Sequence, residues 1–205
     1  MDKISRKERE YRTRREEILR ASERIFAQSG FHNTTVAEIA KEAEFAIGTL
    51  YQFFKNKEEL YYTMMIERFD LLYTTLQKET AECQKCLEKL NCIVEVVLSF
   101  IEKNADFFKI FIWELNVLKS NMDNKLKDQL ILKHFAYIKL ISDVIGEGLN
   151  EGTLKNGNAD DLSTALVGLM NVFSFNWMFN REKEALTTKA SIIIQFFLEG
   201  AGVKG

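Results

Sequence analysis

Few residues of this 205-residue chain could do covalent or metal chemistry. Cys83-Gln84-Lys85-Cys86 has the C-x-x-C spacing of a dithiol redox centre or of half a zinc site. A dithiol centre of that kind needs a βαβ surround, and none is visible in the sequence. Zinc needs further ligands, and His32 and His134 stand far from the cysteines in sequence. With Cys92 the cysteines number three, so a disulfide framework is not expected either. The acid pairs Glu58-Glu59 and Asp160-Asp161 sit at expected helix starts, where carboxylates complement the helix dipole. No P-loop, GxGxxG or Ser-His-Asp order is present. We expect no enzyme, no metal and no cofactor. A second group of residues suits another chemistry. Thr49, Tyr51 and Gln52 offer uncharged hydrogen-bond donors, Gly48 removes a side chain, and Lys57 adds a cation beside a helix start. Such groups bind phosphate and base edges.

Charge supports a contact of this kind at one end. The whole chain carries a net charge of −2, but residues 1–15 hold seven cations, from Lys3 to Arg15, against three carboxylates. A basic end on a mildly acidic body suits one anionic partner. With 46% hydrophobic and 28% charged residues the chain is globular. Proline is absent, which favours helices. No signal peptide is read, and no run of about 18 uncharged apolar residues is expected to span a membrane. These features imply a cytoplasmic protein.

The elements that must hold the phosphate-binding group are short helices. Ile18, Ala21, Ile25 and Phe26 form one apolar stripe, ended by Gly30. Thr35-Val36-Ala37-Glu38 is a capping box opening a second helix, with Val36, Ile39, Ala40 and Ala43 on its buried face. A third short helix is predicted from Ile47 to Phe53, and Asn56 caps a fourth. Longer helices follow, about nine in all, with stops at Asn104 and Gly152 and a cap at Asn158. We expect an all-α fold in two domains: a DNA-binding domain over 1–56 and a helical bundle over 57–205.

The segment Thr34–Leu60, with Gly48-Thr49-Leu50-Tyr51, Phe54, Lys57 and Glu58-Glu59-Leu60 in register, resembles the helix-turn-helix signature of the TetR family of regulators. The resemblance covers roughly the first third of the chain and extends upstream through Ile25–Phe31. It implies that Thr35, Ala46, Ile47, Gly48, Thr49, Tyr51, Gln52 and Lys57 line a contact with double-stranded operator DNA. Two departures stand out. Glu44 occupies the turn position usually held by glycine, where a positive φ costs a side-chain-bearing residue of order 1 kcal/mol, so a rearranged turn is expected. Ala46 replaces the usual Ser or Thr and removes a cap worth about 1 kcal/mol. Operator affinity would then lean on the basic arm.

The body has no comparable signature. Ala165, Gly168, Leu169, Val172, Ile193 and Phe197 are expected at a homodimer interface between the eighth and ninth helices, the alternative being an internal core. The sixth to eighth helices are rich in aromatics. Phe107, Phe111, Glu114, Tyr137, Met170, Phe173 and Trp177 are expected to line a pocket for a lipophilic fatty-acyl or aromatic effector, the alternative again being plain core. The resemblance implies a repressor whose effector moves the fourth helix and respaces two recognition helices on a palindrome. The competing reading is a helical small-molecule binder with weakened or lost DNA binding, which Glu44, Ala46 and the negative charge would suit.

Overall fold

The computed structural model describes residues 5–113, 125–155, 157–180 and 184–201. Lys3 of the arm and the expected pocket residue Glu114 lie outside the described residues. Among the described residues the elements are α1 (Arg6–Asn33), α2 (Val36–Glu42), α3 (Ile47–Phe53), α4 (Lys57–Ala81), α5 (Cys86–Lys103), α6 (Ala105–Trp113), α7 (Lys125–Asn150), α8 (Ala159–Asn180), a 3₁₀ turn (Leu186–Lys189) and α9 (Ala190–Ala201). The all-α class expected from periodicity is the class observed. Two compact units divide the chain: Met1–Arg68 with Asp106–Leu130, and Phe69–Ala105 with Ile131–Gly205. The chain passes from one to the other within α4.

In the first unit, α1 begins at Ser5, whose hydroxyl accepts from the Glu8 amide at 3.1 Å. Its helical backbone is interrupted at Gly30, with φ 76° and ψ 163°, a region essentially reserved for glycine. Ile18, Ala21 and Phe26 of α1 meet a core completed by Ile39 and Ala40 of α2, Leu50 of α3 and Leu60 and Tyr61 of α4, all buried. Phe26 and Phe31 pack against Tyr61 with ring centroids 5.4 and 5.0 Å apart, edge to face, the arrangement the ring quadrupoles favour. One ion pair lies within this packing. Both Arg68 Nε (2.8 Å) and Arg68 Nη2 (2.5 Å) donate to Glu23 Oε2, tying α4 to α1. The Glu23 side chain is only 8% exposed, so its charge depends on that partner.

In the second unit, Leu90, Ile93, Val94, Val97 and Leu98 of α5, Ile141 and Ile145 of α7, Leu166 and Met170 of α8 and Leu186 of the 3₁₀ turn are buried. So are Ile193, fully, and Phe197, at 4% exposed. These two were expected on a dimer face and lie instead in the core of their own chain. The twelve-residue α9 is short, and its most apolar stripe closes the unit over α5 and α8. At the end of α7, Gly152 takes φ 71°, and the Thr153 and Leu154 amides both donate to the Gly148 carbonyl. That turn buries Leu154. The eighth helix starts as expected, the Asn158 side-chain oxygen accepting from the Asp160 and Asp161 amides at 2.8 and 3.0 Å.

The helix α8 bears on the expectation that no segment spans a membrane. Between Leu162 and Asn180 it carries no charged residue, and over Ala159–Phe179 it is long and apolar enough to cross a membrane by length and composition, with a mean hydropathy of 1.3. Only 28% of that window is buried inside the chain. Serines, a threonine and asparagines interrupt the run, which is why it did not read as an apolar span.

Replacing Arg68 with Met should cost about 3 kcal/mol, because it leaves the Glu23 carboxylate buried without its cation. Replacing Arg6, whose pair with Glu10 is 88% and 52% exposed, should cost no more than about 0.5 kcal/mol. Urea denaturation of the two variants checks the contrast.

Candidate nucleic-acid interface

The short α2 is held open at its start by the capping box read from the sequence. The Thr35 hydroxyl accepts from the Glu38 amide (3.2 Å), and the Glu38 carboxylate accepts from the Thr35 amide (2.8 Å). The Thr35 hydroxyl also donates to the same carboxylate at 2.8 Å. The hydrogen bonds from Thr35, backbone first, hold the Glu38 carboxyl below the usual range. Thr35 thus has its hydroxyl proton directed to Glu38, away from any phosphate.

The turn after α2 is not rearranged. Glu44 adopts φ 58° in place of a glycine. The Phe45 amide donates to the Ala40 carbonyl (2.9 Å) and the Glu44 amide to Lys41 (3.2 Å), the bond pair of a Schellman cap. The two cap bonds together offset the left-handed cost at Glu44. Ala46 then precedes α3 with cap-like dihedrals, φ −66° and ψ 144°, and no side-chain bond, as its methyl dictates.

A seven-residue α3 buries one side, through Leu50 at 1% exposed, and leaves the other open. Ile47 is 45% exposed and Tyr51 53%; Gly48 and Gln52 are also exposed and Thr49 half-buried. Gly48 has no neighbour within 4 Å of where a side chain would begin, and its φ is not positive. A glycine inside a helix costs up to about 1 kcal/mol against alanine, and nothing in the fold requires one here. Ile47, Gly48, Tyr51 and Gln52 therefore share an unobstructed face.

Lys57, expected to clamp a phosphate, has its ammonium engaged inside the protein. It donates to the Phe31 and Thr34 carbonyls at 2.7 Å each and to His32 at 3.4 Å, and lies 4.5 Å from the Phe31 ring centre. All three of its donors are used. Its cation closes the end of α1 against α4. The start of α4 is capped by Asn56, whose side chain accepts from the Glu59 amide at 2.7 Å.

Sequence reasoning missed a contact that ties the basic arm to this face. Tyr11 of α1 packs on Phe53 at the end of α3, ring centroids 4.7 Å apart, and Arg15 lies 5.6 Å from the Phe54 ring centre. Arg15 also pairs with Glu67 at 2.5 Å. The first turns of α1, otherwise exposed, are thereby set beside α3 with Arg9 and Arg14 on exposed positions. A tyrosine inside a charged run was the available signal.

The body residues fall in two groups. Ala165, Gly168 and Val172 are exposed, Val172 by 64%, and Leu169 is half-buried. Phe175 and Phe179, 43% and 45% exposed, continue the same spacing of three and four residues along α8, and their rings lie 4.5 Å apart. On α9 the exposed aromatic is Phe196, 49% exposed and beside Phe173. The stripe 165, 168, 172, 175, 179 is legible as a heptad pattern, and it continues past the expected set to Phe175 and Phe179. Of the expected pocket residues, Phe107 is buried and stacks with Phe111 on α6 in the first unit. In the second, Tyr137 and Met170 are buried, Phe173 is half-buried, and the Trp177 indole donates to the Glu184 carbonyl at 2.9 Å. Burial raises the Tyr137 phenol well above its ordinary value, as an apolar surround does. Two clefts in the second unit, of about 450 and 470 Å³, are lined by other residues, the first by Tyr73, Lys89, Lys139 and Asp143 and the second by Leu71, Glu79, Glu95 and Phe100.

Residues 18–62 match the family described as bacterial regulatory proteins, tetR family, and residues 65–200 match the YsiA-like protein, C-terminal region. The chain belongs to the TetR family, and it is a DNA-binding transcriptional regulator. A fatty acid metabolism regulator protein of Bacillus subtilis is 25% identical over 185 residues, 90% of this chain and 93% of the relative. The repressor KstR2 of Mycolicibacterium smegmatis is 27% identical over 143 residues, 70% of this chain and 68% of that protein. Two solved structures share the fold. FadR from Bacillus subtilis in complex with stearoyl-CoA has a TM-score of 0.78 at 22% identity, covering 90% of this chain and 98% of its own. The ketosteroid transcriptional regulator KstR2 of Mycobacterium tuberculosis has a TM-score of 0.80 at 22% identity, covering 93% and 96%.

Replacing Glu44 with Gly should stabilise the protein by about 0.5–1 kcal/mol, the left-handed cost less the entropy that glycine adds to the unfolded chain. A thermal melt that leaves Tm unchanged or lowers it would show the turn to be unstrained.

Proposed function

We propose that this protein is a homodimeric repressor of a palindromic operator, released by a lipophilic acyl effector. The observation that carries the DNA half is the free face of α3. Ile47, Gly48, Tyr51 and Gln52 are open to solvent, and the glycine among them answers no need of the fold. A duplex backbone approaching that face would supply the need. Tyr51 and Thr49 bond phosphates, Gln52 reads a base edge, and Ile47 meets a thymine methyl. Ala46 approaches through its backbone, Thr35 caps α2, and Lys57 sets α4 against α1. The retained turn at Glu44 removes the main reason to expect lost DNA binding.

Two half-sites require two chains. The stripe of Ala165, Gly168, Val172, Phe175 and Phe179, joined by Phe196, is apolar and exposed, and small residues in it permit close helix approach. Pairing two copies of it explains the uncharged run of α8 better than a membrane does, since the other side of the helix is already core. The effector class is supported by the comparisons, which include a fatty acid metabolism regulator and a structure solved with stearoyl-CoA. Tyr137, Met170, Phe173 and Trp177 of the second unit are the residues we assign to it.

Gel-shift titration tests the whole reading. The protein should bind a duplex that it selects from a random pool, stearoyl-CoA should release it, and coenzyme A alone should not. Deleting residues 1–10 should weaken binding and flatten the salt slope by about 0.9 for each phosphate that the arm no longer neutralises. Release by no apolar effector would discard the effector half, and an unchanged slope would remove the arm.

Val172→Glu should shift the chain to monomer in sedimentation and abolish operator binding while leaving its helical content intact. A Val172→Glu chain that remains dimeric would move the interface away from α8.

A further inference from the structure

The three thiols group differently in space than in sequence. Cys86, the second member of the C-x-x-C, is buried; its thiol faces the Val144 carbonyl at 3.4 Å, where Gly148 leaves it room. Cys83 and Cys92 are both half-exposed. Cys83 lies one turn past Glu79, with its sulfur on the Glu79 carbonyl. Cys92 lies three residues before Glu95 on α5, and Glu79 and Glu95 line one cleft between α4 and α5. The cleft pairs Leu71, Thr75 and Glu79 of α4 with Lys103, Ser99 and Glu95 of α5, and continuing that antiparallel register by one turn brings Cys83 and Cys92 to the same end of it. Among the described residues no cluster of three or more His, Cys, Asp or Glu could hold a metal ion, so a thiol pair is what remains.

We propose that Cys83 and Cys92 form a reversible disulfide under hydroperoxide, clamping the end of α4 to α5 and changing operator affinity. The Cys83 thiolate attacks the peroxide O–O bond, takes one oxygen as sulfenic acid and releases hydroxide. The Cys92 sulfur then attacks the Cys83 sulfur. The S–S bond forms as the S–O bond breaks, and the Cys92 proton leaves with the hydroxyl as water, so the thiol pair gives two electrons to the peroxide. Burial, and then the neighbouring Cys83, push the Cys92 thiol up to about 11, which fits the protonated, resolving partner. Helix α4 runs from Lys57, against the helix-turn-helix, to Ala81, just before Cys83, so a clamp at its far end acts on the element that carries Lys57. The effect on operator affinity rests on the regulator reading above; the bond itself does not.

The test treats reduced full-length protein with hydrogen peroxide, blocks remaining thiols, and maps tryptic peptides, which Lys85 and Lys89 separate. The expected product has two hydrogens fewer, joins the Cys83 and Cys92 peptides, and keeps Cys86 as a thiol. Its Tm should rise by about 5 °C, and dithiothreitol should reverse the rise. Its affinity for a duplex selected by the reduced protein should differ from that of the reduced form by at least about threefold. Cys92→Ser should lose the Tm rise and the affinity change while Cys83 is still oxidised, and Cys86→Ser should keep both. In the unsubstituted protein, a Cys83–Cys86 bond, a bond between chains, or Cys83 oxidised without a bond would overturn the pairing. A Cys83–Cys92 bond with unchanged affinity would overturn the switch. A reduced protein that selects no duplex would refute the regulator reading, and the peptide map would still decide the pairing.

Discussion

A two-turn helix cannot stand alone in water, and the free side of α3 depends on that constraint being met elsewhere. Seven residues close too few backbone bonds to offset the cost of ordering them. Leu50 supplies the burial, the Ala46 carbonyl takes the Thr49 amide, and the Phe54 amide closes on the Leu50 carbonyl. With one side chain sunk in the core, the remaining positions of α3 are free to be polar, small or exposed. The open face follows from the shortness of the helix: a single anchor leaves most of its surface uncommitted.

That anchor needs a rigid frame, and charge provides much of it. Lys57 holds three carbonyls around the end of α1, and Arg68 holds Glu23 further along the same pair of helices. Both cations bridge α1 and α4 rather than facing solvent. A lysine with three carbonyl partners and a ring beneath it is part of the scaffold, and the family resemblance, which assigned it to phosphate, carries its position without its neighbours. Thr35 makes the same point with a smaller group, since its hydroxyl proton is turned toward Glu38.

Helix positions and side-chain caps were legible because they follow from local chemistry. Thr35 with Glu38, Asn56 with Glu59, and Asn158 with Asp160 are contacts within four residues, and spacing alone reveals them. Side-chain destinations across the fold were less legible. Ile193 and Phe197 carry the same apolar signal whether they meet their own α5 or another chain, and only the packing separates the cases. The exposed stripe of α8 was half read, because Val172 was weighed and the continuation to Phe175 and Phe179 was not. Glu44 was misjudged in the other direction: sequence rules count the strain of a left-handed residue but not the two amide bonds that hold it. The cysteine spacing sets 83 and 86 side by side in sequence, whereas the fold turns Cys86 inward onto the Val144 carbonyl and leaves Cys83 half-exposed.

Gly30 has a genetic consequence. Its backbone, at φ 76° and ψ 163°, is closed to every encoded residue with a β-carbon, and Thr34 bonds back to its carbonyl at 2.8 Å. Every missense change of this codon therefore falls on the joint that leads from the long first helix into the Thr35 cap. Screens for derepressed alleles will recover such changes alongside those of the recognition helix, although Gly30 itself is no part of the open face.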